Sequence, residues 1–303
     1  MHDAWSRHMR GLKGNAMRVA VVGATGVLGR ALIPLLLEHD HTVRAIVRSP
    51  VKAREVLPQE IDIAEGDLLT PHAEQQFPAL LARCEAVIHL ATAIPRDMSL
   101  PHAWDANTRL RTDGVRLLLQ AALKAGTKQY IQQSIIMAYP DHGVEWITEN
   151  RPLDDSPERA GLCAPVITME NLVRTLATDQ LRWSILRGGS FVGPDTFQVK
   201  TMADLRSGRH VITGTGLNFV SMIHVADMAA AMVAAPEYAP DQSIFNIVDA
   251  PLREGEYVDR LADLLGAPRP VRDETVPDPP SWRCSNLAAR SILHWSPTHS
   301  LVP

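Results

Sequence analysis

The chain of 303 residues sets 30 Lys and Arg against 34 Asp and Glu, a formal net charge of -4, with 46% hydrophobic residues. That balance lacks the dense basic excess that a nucleic-acid footprint or an anionic membrane surface demands, so neither is expected as a partner. Cys84, Cys163 and Cys284 are too few and too scattered for a disulfide framework, and none has metal-ligand spacing. No metal and a reducing, cytoplasmic setting are therefore expected.

The first residues, MHDAWSRHMRGLKGNAM, have no apolar central region and do not read as a secretory signal. Residues 1–16 read as a flexible extension, with order expected from Met17. Strand and helix then alternate. RVAVVGA is a buried strand and VLGRALIPLLLEHD a helix; HTVRAIVRS is a second strand, followed by a short helix near Val51–Leu57. IDIAEGDL and AVIHLAT are further strands separated by the helix AEQQFPALLARC. RLRTDGVRLLLQAALKAG reads as one long helix leading to the strand KQYIQQSI. At 160–176, AGLCAPVITMENLVRTL reads as a short loop running into an apolar helix, with RWSILRGG a sixth strand. No apolar run reaches the roughly 18 residues of a membrane-spanning helix.

β-branched runs alternating with helices imply an α/β fold, a Rossmann-type doubly wound parallel sheet covered on both faces. After Gly189 the rhythm breaks. SFVGPDTFQ reads as a loop, FVSMIHVADMAAAMVAA as strand then helix, SIFNIVD as a strand and EYVDRLADLLG as a helix, before a proline-rich tail. Residues 17–190 with about 224–248 are assigned to this Rossmann-type domain. About 191–223 with 249–303 form a smaller substrate-capping lobe. The acidic stretch 145–158 reads as a solvated lid loop, its carboxylates lacking the fixed spacing of a hydrolytic pair.

Gly23, Gly26 and Gly29 in RVAVVGATGVLGRAL follow a buried strand and open a helix. Glycines there allow a tight bend and a close backbone approach to a pyrophosphate. The helix N-terminus adds unpaired N–H groups and partial positive charge. Thr25, Val27 and Leu28 complete this loop as cofactor-binding candidates. At the end of the second strand stands Arg48, with Lys52 just beyond. A carboxylate there would repel a ribose 2′-phosphate, whereas a guanidinium can hold it through two charge-assisted hydrogen bonds. NADP(H) is therefore favoured over NAD(H).

GATGVLG, GDL at 66–68, AVIHLAT, GVRLLLQAALKAGTKQYIQQS, LRGGSFVGP, MIHVADMAAAM and SNLAARSILHWSP occur in the order found in extended and atypical short-chain dehydrogenases/reductases. The chain thus resembles the NAD-dependent epimerase/dehydratase superfamily over about residues 17–297. The resemblance implies that Asp67 and Leu68 lie by the adenine, and that Ala91, Thr92 and Gln133 border the cofactor. It also implies that Arg187 and His224 border the substrate, although His224 and Asp227 equally suit a helix start.

The family's catalytic Tyr, the Lys four residues on, its Ser and its Asn are not matched. None of Tyr130, Tyr139, Tyr238 and Tyr257 has a lysine four residues later, and no lysine occurs between Lys128 and Lys200. Alignment on Glu170 puts Leu162 and Val166 at the Tyr and Lys positions and Ile135 at the hydroxyl. Arg111 stands at the Asn, with Asn107 one turn earlier. Loss of a placed general acid removes about 10²–10⁴ in rate, so a retained enzyme needs another proton donor, or a substrate that requires none from the protein.

Tyr139 is a candidate donor or a packing residue. Gln133 and Ser134 are candidates to contact a substrate carbonyl or to cap the loop. Arg111 either clamps a carboxylate or phosphate or pairs with Asp105. Phe191 lines an apolar pocket or the lobe's core, and His89 and Cys163 read as core residues. The leading reading is an atypical NADP(H)-dependent oxidoreductase acting on a small organic molecule, as a monomer or homodimer. The alternatives are a catalytically silent NAD(P)-binding regulator and a non-redox isomerase or lyase.

Overall fold

The structure is a computed structural model that describes residues 16–95, 97, 100–177 and 179–303. The expected N-terminal extension, apart from residue 16, lies outside the described residues. Seven strands, β1 (Arg18–Val22), β2 (Thr42–Val47), β3 (Asp62–Glu65), β4 (Ala86–His89), β5 (Gln129–Ile135), β6 (Arg182–Gly188) and β7 (Ser243–Ile247), form one parallel sheet. Their order across it is β3-β2-β1-β4-β5-β6-β7. Val19, Ala20 and Val21 of β1 are fully buried, as a strand covered on both faces must be. The chain winds outward from β1 to β3 and returns to place β4 against the other side of β1. Val22 pairs with Ile46 of β2 and with His89 of β4. Ligands of such sheets bind beyond the carboxyl ends of the strands at this reversal.

The helices of this part are α1 (Val27–Glu38), α2 (Pro50–Val56), α3 (Ala73–Leu80), α4 (Asp105–Arg109), α5 (Val115–Ala125) and α6 (Ala160–Leu176). In α5 Val115, Leu118, Leu119 and Ala122 make one buried stripe, and Gly126 closes the helix in the left-handed region at φ 74°. Two expectations are corrected. The single long helix is interrupted by a π-helical turn, Leu110–Gly114, between α4 and α5. The stretch from Ala160 is helical throughout, because Cys163, Val166, Glu170 and Val173 bury one face and outweigh the breaking tendency of Gly161 and Pro165.

Contacts divide the chain into two compact units. The first runs to Ser134 and takes Asp155–Leu186 and Ala229–Ile244; the second holds Ile135–Asp154, Arg187–Met228 and Phe245–Pro303. The core of the second gathers Val192, Leu205, Ile212, Met222, Val258 and Leu261. SFVGPDTFQ, expected as a loop, contains a short strand, Ser190–Val192, paired with Met222–His224. Its end opens a helix, Phe197–Arg206, capped by Thr196. The stretch 145–158 is not wholly solvated: Trp146–Ile147 pairs with Arg283–Cys284, and Ile147 is fully buried.

Candidate functional site

A cleft of about 250 Å³ opens in the first unit at the carboxyl ends of β1 to β4, with Ala106 and Leu110 closing one side. Its floor is a backbone crossing that only glycine allows. Gly23 sits at φ +94°, and a Cβ there would lie 2.6 Å from the Ala91 nitrogen. A Cβ on Gly29 would overlap the Ala24 carbonyl, so α1 is packed against the turn that precedes it. Gly26 caps α1 without a side-chain hydrogen bond, and the first turn carries no acid. The N–H groups at Val27, Leu28 and Gly29 are therefore unclaimed by a side-chain cap, and they begin a helix whose dipole favours an anion. The Leu28 side chain is itself buried. Thr25 lines the cleft while its carbonyl accepts from Arg30 at 2.9 Å.

Around this cradle, Arg48 is exposed at the cleft's edge and makes no hydrogen bond or ion pair among the described residues. Lys52 is exposed on α2, does not line the cleft, and donates its backbone N–H to Ser49 at 3.5 Å. Asp67 lines the cleft with Oδ1 accepting from the Leu69 N–H at 2.9 Å, and buried Leu68 lies beside it. Ala91 and Thr92 also line the cleft. Next along, Ala93 donates its N–H to Oδ1 of buried Asn107 at 3.1 Å, which ties the loop after β4 to α4. A bend without side chains, uncapped helix N–H groups, an acid and an edge guanidinium together fit a dinucleotide.

A model of the NAD-dependent epimerase/dehydratase family matches residues 19–247. The chain belongs to that family. It is 31% identical over 300 residues, 93% of this chain and 97% of the relative, to a 3-diazoavenalumate denitrifying reductase of a Streptomyces species. It is 29% identical over 159 residues, 51% of this chain and 50% of the relative, to an NAD(P)H azoreductase of Xenophilus azovorans. Reductases among its relatives support an oxidoreductase. The fold matches UDP-glucose 4-epimerase of Thermotoga maritima with UDP-glucose, at TM-score 0.79 and 20% identity over 94% of this chain and 95% of the other. It matches UDP-glucuronic acid 4-epimerase of Bacillus cereus, in complex with UDP-glucuronic acid and NAD, at TM-score 0.79 and 19% identity over the same shares.

Leu162 and Val166, which sequence alignment sets at the family's Tyr and Lys positions, are both apolar. On α6 Val166 is fully buried and Leu162 is 38% exposed. Ser134 at the end of β5 donates its hydroxyl hydrogen to Glu170 at 2.8 Å, both side chains being buried. Gln133 is half-buried, turns its amide onto the Ser134 carbonyl at 3.0 Å, and does not line the cleft. Arg111 sits half-buried in the π-helical turn, where burial pulls its guanidinium down to about 10.

Tyr139 and Arg187 belong to the second unit and are brought together there. Arg187 donates to the Tyr139 oxygen at 2.6 Å, and the Tyr139 hydroxyl donates to Asn246 Oδ1 at 3.0 Å. All three side chains are at most 1% exposed. Burial pushes the Tyr139 phenol well above its usual range despite the guanidinium beside it. Of the two readings weighed for Tyr139, this geometry supports packing, since the hydroxyl is out of contact with water and already engaged. Glu149, from the stretch expected to be solvated, accepts the Asn246 N–H at 2.8 Å, and burial raises its carboxyl. Pattern reading missed Asn246, which a lone Asn inside an apolar strand could have signalled.

Phe191 is half-buried and pairs with Ile223 across the short strands. His224 accepts the Ala226 N–H at 3.2 Å and stacks on His299 at 4.6 Å between ring centroids. Burial and the His299 charge lower its imidazole. Asp227 binds the Thr298 and His299 N–H groups, anchoring the C-terminal segment. His89 is buried, with Nδ1 3.0 Å from Gln132 Oε1 and Nε2 unpartnered among the described residues. Cys163 is fully buried. Among the described residues no cluster of three His, Cys, Asp or Glu has metal-binding geometry, and no helix is long and apolar enough to cross a membrane.

Proposed function

We propose that this chain is an NADP(H)-dependent reductase of an electrophile that needs no proton from the protein, with an aryl diazonium group as the favoured substrate class. The observation that carries this reading is the pairing of a complete phosphate cradle with Leu162 and Val166 at the aligned Tyr and Lys positions. Reduction of a carbonyl leaves charge on oxygen, which the family's tyrosine proton quenches. A diazonium ion already carries the positive charge. Replacement of N2 by hydride breaks the C–N bond and forms a C–H bond, converting Ar–N2+ to Ar–H and N2 with no proton consumed. An acid would add nothing to that exchange.

When bound, the dinucleotide supplies the hydride. In this reading the N–H groups at Val27 to Gly29 hold its pyrophosphate, and the Gly23 bend lets the backbone approach it. Arg48, with Lys52 behind it, takes the 2′-phosphate, and Asp67 accepts from the adenine amine. Ala91 and Thr92 pass alongside. The relative named as a reductase of a diazo compound supports the choice of a diazonium group.

The test offers an aryl diazonium salt, an azo dye and a methyl ketone with NADPH deuterated at C4. The expected result is arene carrying one deuterium, formed in step with NADPH consumption, and no turnover of the ketone. Ketone reduction with the diazonium salt untouched would overturn the proposal. Tight NADPH binding without turnover of any compound would favour the regulator.

A further inference from the structure

The residue at the centre of the interrupted helix is Arg111. A π-helical turn accommodates one extra residue at some cost in helix stability, and such turns concentrate at functional sites. No proline forces the turn here, and the flanking Arg109 and Val115 hold ordinary α-helical dihedrals. Its surroundings are tied down. Asn107 binds the loop after β4, Leu110 lines the cleft, and Gly114 lies against Leu68. The turn also packs on α6, the helix carrying Leu162 and Val166.

Within this frame Arg111 is half-buried and has no hydrogen bond or ion pair among the described residues. Partial burial lowers its guanidinium to about 10. Asp105, the partner weighed for it from the sequence, lies instead 3.1 Å from His102 Nδ1. Partial dehydration of a cation with five N–H donors and no protein acceptor carries a penalty. A ligand that brings the acceptor removes that penalty as it binds.

We infer that Arg111, held in the π-helical turn beside the cleft, is the anion-binding residue of the substrate site, and that the substrate is an organic carboxylate. The planar fork of a guanidinium matches a carboxylate through two parallel hydrogen bonds. One guanidinium also balances the single charge of a carboxylate, whereas a phosphate dianion would leave charge uncompensated. The inference rests on the reductase reading only for the reacting group; the anion site is a property of the free surface of the first unit.

Calorimetry on the NADP+-loaded protein, titrated with cinnamate and with neutral cinnamamide, tests it. Cinnamate is expected to bind about 10- to 100-fold tighter than the amide, the range for a hydrogen-bonded charge. Arg111→Gln should erase that preference while leaving NADP+ affinity unchanged, and Arg111→Lys should restore part of it. Equal behaviour of acid and amide toward the wild-type protein overturns the inference, whether both bind or neither does, and needs no variant to fold. Weakening of NADP+ by Arg111→Gln to the same degree as cinnamate also overturns it. Failure of diazonium turnover with the acid–amide difference intact removes the reductase reading and leaves the anion site. Turnover of carboxylated and uncharged diazonium salts at equal KM and kcat does the reverse.

Discussion

Ser134 and Glu170 meet across 2.8 Å, hydroxyl to carboxylate, with each residue 1% exposed. The contact joins the end of β5 to the middle of α6, 36 residues apart in sequence. Arg174 reaches the other carboxylate oxygen at 3.4 Å. Ser134→Ala takes one donor from a buried charge, which costs about 1–3 kcal/mol. Urea unfolding should show that loss while KM for the electrophile stays within twofold; a large change in KM with stability intact would restore Ser134 as a substrate contact.

Tyr139→Phe separates the two readings of that residue. Removing the hydroxyl leaves Arg187 and Asn246 each short of a buried partner, so a stability loss of about 1–3 kcal/mol is expected. Turnover per folded molecule should persist, and the pH–rate profile should keep its shape. The raised phenol pKa means the folded state retains a proton that the unfolded state releases near pH 10. Its contribution is present below about pH 10 and lost above it. A hundredfold fall in kcat without unfolding would identify a proton donor.

His89 makes stability depend on acid. Burial takes its imidazole from 6.5 down to about 4, so the folded ring stays neutral where the unfolded ring is charged. Below about pH 6.5 the unfolded state binds the extra proton. Stability therefore falls as pH drops toward 4, by about 3 kcal/mol at the limit. Melting temperatures at pH 7.5 and 4.5 should converge less for the wild type than for His89→Gln; identical acid losses in the two proteins would exclude this origin.

Gly23→Ala places a Cβ where the Ala91 backbone already stands, on a residue at φ +94°. Strain of about 1–3 kcal/mol is expected, together with loss of NADPH binding by fluorescence titration. Unchanged affinity would show that the cradle does not hold the pyrophosphate.

Arg48→Ala removes the guanidinium that, among the described residues, lines the edge of the cleft beside the second strand. NADPH affinity should fall about 10- to 100-fold, the scale of a hydrogen bond to a charged group, and NADH affinity should stay level. Equal losses for both nucleotides would contradict the assignment of the 2′-phosphate.

Sequence alone determined the series of buried strands and the cradle at Gly23–Gly29, because strand burial, glycine spacing and helix start are consecutive along the chain and obey local rules. It also located the cleft's edge residues Arg48 and Asp67, each at the end of its own strand. It did not reveal the turn at Arg111, since α- and π-helical hydrogen bonding present nearly the same apolar face over one turn. Only the tertiary structure decided which polar groups are free. Tyr139 meets Arg187 48 positions on and Asn246 107 positions on, and these encounters, with the removal of water around them, set its proton affinity. Hydrogen-bond partners and desolvation depend on neighbours in space, and no local pattern encodes them.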